Sequence, residues 1–167
     1  MKLEMRREEI LRLLLNGSDN ELNELIEDIH PADILDILHE ESEENILKIL
    51  NRLPDSIVAD IIDEEDDEEK YEILKRFSEN KQKKILGEMS SDEITDLVGV
   101  LDEEESNKIL NKMSLEDRED VSKLLSYDPD TAGGIMATEF ISIRENKSVK
   151  DTLRYLQKEA PDAETAY

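Results

Sequence analysis

The sequence has no cysteine and no tryptophan, and only two phenylalanines and four tyrosines among its 167 residues. Without cysteine, the chain forms no disulfide, thiolate metal site or thiol nucleophile. So few aromatic rings argue against a base-stacking platform and against a large aromatic ligand pocket. Basic residues are also scarce, with 21 against 45 acidic residues and a net charge of −24. This balance argues against nucleic acid as a partner and leaves no polybasic patch for a membrane surface.

Long apolar runs are missing as well. No stretch approaches the length that spans a membrane, and the charged residues 1–9 lack the apolar segment of a signal peptide. We therefore expect a soluble, cytoplasmic segment that does not insert into a membrane. Its length fits one domain plus a fragment of a second. Apolar residues still make up 37% of the chain, which is enough for an aliphatic core.

Catalytic motifs are not found either. The two histidines, His30 and His39, stand nine positions apart and fit a helix start and a surface side chain better than metal ligands or a general base. The sequence has no phosphate-binding glycine-rich loop and no serine in a nucleophile elbow. It therefore does not predict an enzyme.

What the sequence does contain is a repeat of twelve residues. Ten units fit between residues 6 and 125, and positions 5, 8, 9 and 12 of the unit carry most of the apolar residues. That spacing forms one face of a helix. In the frame that begins at His30, the eighth position is aliphatic in every unit: Ile37, Ile49, Ile61, Ile73, Ile85, Leu97, Ile109 and Val121.

The repeat predicts short, separate helices rather than one rod. Twelve residues at about 100° each advance the apolar stripe by roughly 120°, so the stripe on a single rod would spiral around it. Pro31 and Pro54 suit first helical positions. The unit boundaries also carry residues typical of helix starts: Ser42, Asp66, Ser78, Ser90, Asp102 and Ser114. Because such short helices are marginal alone, they must stack, and we predict an all-α superhelix (solenoid) of either hand over residues 1–125.

The seventh position of the unit lies opposite the apolar face and is mostly acidic, and residues 63–69 are seven acids without a break. Neighbouring carboxylates about 6 Å apart in water repel each other by roughly 0.7 kcal/mol before salt screening. A bound cation would relieve this repulsion. Two pairs at i and i+4, Asp60 with Glu64 and Asp92 with Asp96, can each present two carboxylates together, the number that Mg²⁺ takes while it keeps several waters. The alternative is that the acids form a solvated face that maintains solubility.

The register stops at Ser126, where proline and paired glycines appear. Residues 128–139 place Asp128, Asp130, Gly133 and Glu139 as in a calcium-binding loop, but Ala132 supplies no side-chain ligand at the fifth position. The following residues also favour a strand over an exit helix, which argues against such a loop. We predict a linker at 126–139, then a short strand (Phe140, Ile141 and Ile143) and a helix that begins at Ser148 with Val149, Leu153 and Leu156 on one face.

The order of these features resembles the cytoplasmic part of MgtE-type magnesium channels and transporters. The resemblance is carried by HPADILDIL at 30–38, by the serial short helices, and above all by YDPDTAGGIMATEFISI at 127–143. By that resemblance, residues 1–125 are the family's N-type domain, 126–139 are the junction, and 140–167 are the incomplete first cystathionine-β-synthase-type (CBS) module. The helical part alone is less specific, since flagellar motor-switch proteins have a similar architecture.

The resemblance implies a regulatory role in magnesium transport. The whole protein would be a homodimer with further CBS modules and a membrane pore, and Mg²⁺ held between acidic surfaces would favour a closed state. Asp60, Asp92 and Asp96 match the family's metal-binding acids by type and approximate place. A helical scaffold that binds a protein partner and has no role for metal is the alternative function.

Overall fold

The computed structural model describes residues 7–138 and 141–159, and this part of the chain is all-α. It contains eleven helices: α1 (Arg7–Asn16), α2 (Asp19–Ile26), α3 (Pro31–Leu38), α4 (Glu43–Arg52), α5 (Asp55–Asp63), α6 (Asp67–Leu74), α7 (Glu79–Leu86), α8 (Ser91–Gly99), α9 (Glu103–Leu110), α10 (Leu115–Leu124) and α11 (Val149–Glu159). None of these helices is long and apolar enough to cross a membrane.

The helices follow the period of the sequence. From α1 to α10, each helix begins twelve residues after the one before it. The chain breaks after each helix because, if the helix continued, its apolar stripe would rotate away from the neighbouring helices. The predicted short helical units are therefore present, whereas the superhelical winding and the domain boundaries at 125 and 139 remain predictions.

Several of these helices have an N-cap residue whose side chain accepts a hydrogen bond from the first turn. The Ser18 hydroxyl accepts a hydrogen bond from the Glu21 amide, and the Glu21 carboxylate accepts one from the Ser18 amide, a reciprocal pair that satisfies two donors. Side chains of Ser42, Asp102 and Ser114 cap α4, α9 and α10, each by accepting a hydrogen bond from the amide three residues later. Pro54 differs from the prediction: it is the residue before α5 rather than the first helical residue.

The eighth position of the repeat is the centre of the core. All eight aliphatic side chains at that position, from Ile37 to Val121, are buried. The fifth position is less uniform, because Lys70 and Gln82 occupy it and are buried as well. Buried polar groups need partners, and Gln82 Nε2 donates to the Phe77 carbonyl at 2.8 Å. At the same position, Ser106 and Arg118 donate to the carbonyls of Val98 and Leu110, eight residues earlier in each case.

The chain divides into two compact units, Met1–Met89 and Ser90–Tyr167. In the first unit, α3 packs on α5 and α5 packs on α7, so helices two apart along the chain contact each other. In the second unit, α8 packs on α10 in the same pattern and also contacts α9. Stacking between alternate helices supplies the burial that one helix of about eight to ten residues lacks.

The predicted strand is not observed. Residues 141–144 are neither strand nor helix, and Phe140 lies outside the described residues. A strand needs a neighbour to pair its backbone groups, and the described part of the chain holds no strand that could pair with it. The predicted helix that follows is α11, and Val149 and Leu153 on its apolar face are exposed.

Candidate functional site

Asp60 lies on α5 among other acidic groups of the first unit. Its carboxyl is at the surface, but the surrounding protein removes part of its water, and this desolvation is the main reason that its pKa is raised above the usual value. The negative charges of Asp63, Glu88 and Glu64 raise the pKa further, while His30 opposes them. The predicted pair of Asp60 and Glu64 thus belongs to a larger group of like charges, whose repulsion favours the uptake of a proton or another cation.

His30 begins α3 and faces the same group of charges. Its Nδ1 accepts a hydrogen bond from the Ala32 amide at 3.3 Å and lies 3.6 Å from Oε1 of Glu64. His39, at the other end of α3, places Nε2 at 2.7 Å from Oε2 of Glu65. His39 therefore has a hydrogen-bonded carboxylate partner in Glu65, whereas Glu64 only lies near His30. Both ends of α3 thus approach the segment that follows α5.

The run of seven acids at 63–69 is partly neutralised by Lys70. Its side chain is buried, with Nζ at 2.9 Å from Oδ1 of Asp67 and 3.5 Å from Oδ1 of Asp63. Burial acts to lower the pKa of Lys70, but the two carboxylates outweigh it, and the pKa is raised overall. From the sequence we expect only an external cation for this run, whereas Lys70 supplies an internal one. The signal for an internal cation was a basic residue at the fifth position of the repeat, which is apolar in most units.

Asp92 and Asp96 lie one turn apart on α8 in the second unit, as the i and i+4 spacing predicts. Asp92 is half-buried, and its Oδ1 accepts a hydrogen bond of 2.6 Å from the Ser90 hydroxyl. The Ser90 amide donates to Oε2 of Glu93 at 2.8 Å, which is the backbone half of a capping box. The first turn of α8 thus holds Asp92 in place, while Asp96 is exposed on the next turn. Asp60 belongs to the other unit.

The junction after the helical repeat is held against the start of α8. The Ser91 and Thr138 hydroxyls are 2.7 Å apart, and the Thr138 amide donates to the Ser91 oxygen at 3.4 Å. Ser91 is buried, so this connection lies beneath the surface, next to Asp92 in the chain. Periodicity does not reveal the contact, because the two residues are 47 positions apart and neither belongs to an apolar position of the repeat.

The glycines of the junction are required by close packing. A Cβ atom at Gly133 would lie 2.7 Å from the Tyr127 ring, and one at Gly134 would lie 2.7 Å from Cα of Pro129. The Gly134 amide donates to the Thr131 carbonyl at 2.9 Å, which closes the turn. Oδ1 of Asp128 accepts from the Asp130 amide. These bonds form a compact turn, consistent with the predicted linker.

The residues described by the structure contain no group of three or more histidine, cysteine or acidic side chains poised to hold a metal ion. The chemistry of the three predicted ligands nevertheless fits Mg²⁺, which prefers oxygen donors and binds through one or two carboxylates and water. Asp60, and Asp92 with Asp96, can each supply donors of that kind.

The fold and its surfaces together define an acidic all-α domain of repeated short helices, with carboxylate groups on α5 and α8. The sequence profile of the MgtE intracellular N domain matches residues 29–130, which is more than half of the chain. The chain belongs to this family, as the resemblance predicted.

Two magnesium transporters named MgtE share short regions of similar sequence. The protein of Thermus thermophilus is 46% identical over 50 residues, or 30% of this chain, and that of Enterococcus faecalis is 44% identical over 48 residues, or 29% of this chain. Each alignment covers 11% of the relative.

Two solved structures match almost the whole chain. They are the soluble part of a magnesium transporter, with a TM-score of 0.84 and 32% identity, and the cytosolic domain of the Mg²⁺ channel MgtE in complex with ATP, with a TM-score of 0.83 and 31% identity. Each match covers 97% of this chain and 66% of the solved chain. The chain thus spans about two thirds of the length of each of these two solved chains.

Proposed function

We propose that this chain is a cytosolic regulatory region of a magnesium channel or transporter, and that Mg²⁺ bridging its acidic surfaces favours the closed state. The proposal assigns no catalysis to the chain. It is supported chiefly by the environment of Asp60, where partial desolvation and then three neighbouring carboxylates raise the pKa, in a chain of net charge −24. The chain belongs to the MgtE family, which includes magnesium transporters. Mg²⁺ would then be both the ion that is transported and the ion that the acidic surface senses.

The physical basis is repulsion between like charges. Carboxylates that are driven to take up protons are unfavourable when ionised, so an acidic surface at neutral pH resists approach by a second acidic surface. Mg²⁺ would supply positive charge between the two surfaces. Any ligand that binds the compact arrangement more tightly shifts the equilibrium toward it.

We assign the binding to Asp60 on α5 and to Asp92 and Asp96 on α8. Their oxygens suit a hydrated magnesium ion, and each helix offers the one or two carboxylates that such an ion takes. The bond from Ser90 to Asp92 orients that carboxylate in advance. The Ser91–Thr138 contact joins α8 to the segment that leads into the next module, so a change at α8 can be transmitted there.

The remaining partners are those of the whole protein. We propose that CBS modules and a membrane pore follow in the same polypeptide, that the protein is a homodimer, and that this region lies on the cytoplasmic side of the cell membrane. A cytosolic location is consistent with the description of the solved MgtE domain that this chain resembles.

Small-angle scattering tests the proposal on the polypeptide that extends through both CBS modules. We expect its radius of gyration to fall when millimolar Mg²⁺ replaces chelator at matched ionic strength. Asp92→Asn with Asp96→Asn should reduce that change, because asparagine keeps the size of each side chain and removes its charge. Glu103→Gln with Glu104→Gln on α9 removes the same charge elsewhere and should leave the compaction intact. Identical dimensions with and without Mg²⁺ would refute the proposal.

A scaffold for a protein partner is the second candidate function. It assigns no role to metal, and the acidic residues then serve to keep the chain soluble. A scaffold predicts that the Asp92 and Asp96 variants keep the behaviour of the unmodified protein in every magnesium concentration.

A further inference from the structure

The first three helices of the first unit line an open cleft of about 750 Å³. Its apolar floor includes Ile10, Leu13 and Ile29, each half-buried, and the buried side chain of Ile37. Aliphatic groups that remain partly accessible in a concave surface are a common feature of sites that bind an apolar ligand face.

The rim of this cleft is strongly acidic. Two arginines, Arg7 and Arg12, face six acids, so the lining carries a net charge of 2 − 6 = −4. The six acids are Glu9, Glu21, Glu24, Asp28, Asp33 and Asp36. Arg7 is already engaged, since it donates to Oε1 of Glu40 at 2.8 Å and to the Asp36 carbonyl at 2.6 Å. An occupant of the cleft must therefore be apolar on one side and positively charged at its edges.

We propose that this cleft binds a cationic amphipathic helix of a partner protein. Such a helix carries apolar residues at i, i+3, i+4 and i+7, which suit the floor, and lysine or arginine on its flanks, which suit the rim. The cleft is formed by α1, α2 and α3 and includes none of Asp60, Asp92 and Asp96. The interaction is therefore independent of magnesium binding at those residues, and its test does not depend on the proposed function.

Fluorescence anisotropy with two synthetic peptides provides the test. The probe is a labelled 14-residue amphipathic peptide of leucine and lysine, and its counterpart has glutamate in place of lysine. The full 167-residue chain should bind the lysine peptide in 50 mM salt and should not bind the glutamate peptide. Amide shifts in an NMR titration should be concentrated in residues 7–37.

Matched variants separate binding in the cleft from general attraction to an acidic chain. Glu24→Lys with Asp36→Lys should weaken binding about tenfold or more, because it reverses two rim charges. Glu116→Lys with Glu119→Lys makes the same change of charge on α10 and should weaken binding less than about twofold. Ile29→Asn, which keeps the charge and makes the floor polar, should weaken binding about tenfold, corresponding to about 1.4 kcal/mol. Circular dichroism checks that each variant is folded.

Several outcomes would overturn the proposal. An equal loss in the two charge-reversed pairs would show that the peptide senses only net charge, and full binding by Ile29→Asn would show that the floor is not used. Binding that requires deletion of residues 1–6 would identify that segment as the occupant. Self-association of the chain that Glu24→Lys with Asp36→Lys abolishes would identify a second copy instead.

Discussion

Replacement of Lys70 by methionine tests whether the buried ammonium stabilises the acidic run. Methionine has a similar length and no charge, so the core keeps its volume while residues 63–69 lose their internal partner. The lost contacts are those to Asp67 at 2.9 Å and to Asp63 at 3.5 Å. Both carboxylates are more than one-third exposed, so water compensates for part of the loss.

The magnitude follows from these contacts. A hydrogen bond between charged groups contributes about 1.5–3 kcal/mol, and the longer contact to Asp63 less than about 1 kcal/mol. Relief of the cost of burying an ammonium offsets part of this sum. We expect a net loss of about 1–2 kcal/mol, or a fall in Tm of roughly 2–8 °C for a chain of this size.

Thermal unfolding followed by circular dichroism at neutral pH measures this loss. In 20 mM salt the deficit should be largest, and in 500 mM salt it should shrink, because screening weakens the repulsion among the exposed acids. Lys70→Arg keeps the charge and serves as a comparison for changes in shape. A methionine variant as stable as the unmodified chain in low salt would refute the inference that Lys70 stabilises this segment.

Three further predictions concern other parts of the chain. Arg52 donates to the Leu13, Leu14 and Gly17 carbonyls at the end of α1, so Arg52→Met should lower the free energy of unfolding by about 2–3 kcal/mol in urea titrations, more than Arg52→Lys does; equal stability would contradict this role. Gly134→Ala should speed hydrogen exchange in the junction turn and destabilise it by about 1–3 kcal/mol, whereas Gly99→Ala, where a Cβ meets nothing within 4 Å, should be neutral or stabilising. Asp60→Asn should raise Tm at pH 7 in chelator. The benefit should diminish as the pH falls toward the unfolded pKa of 3.8, because ionised Asp60, whose pKa is raised in the folded state, destabilises that state and protonation removes this cost. A lower Tm for Asp60→Asn at pH 7 would refute this.

The periodic parts of the fold could be predicted from sequence. Twelve-residue spacing located the ten helices, and the eighth position identified core residues from Ile37 to Val121, because burial of one helical face imposes the same pattern on every unit. Exposure at the seventh position placed Asp60 and Asp96 on the outer face. These features depend on local geometry that repeats along the chain.

Features that depend on distant residues could not be predicted in this way. The contact of Ser91 with Thr138 joins residues 47 positions apart, and neither lies at an apolar position of the repeat. The strand predicted around Ile141 was wrong for the described residues 141–144. The apolar pattern of one segment can favour a strand, but a strand also needs a second strand with which its backbone groups pair. Which acids of separate surfaces come close together depends on how those surfaces approach one another, and a single sequence does not encode that approach in its periodicity.

The spacing of helix starts has a consequence for how this architecture tolerates insertions and deletions. Adding or removing a multiple of twelve residues leaves every later side chain on its original face, whereas a shift of one residue rotates all later positions within a helix by about 100°. Natural lengthening or shortening of such a chain is therefore expected to occur in whole units, with the reach of the domain changing in discrete steps.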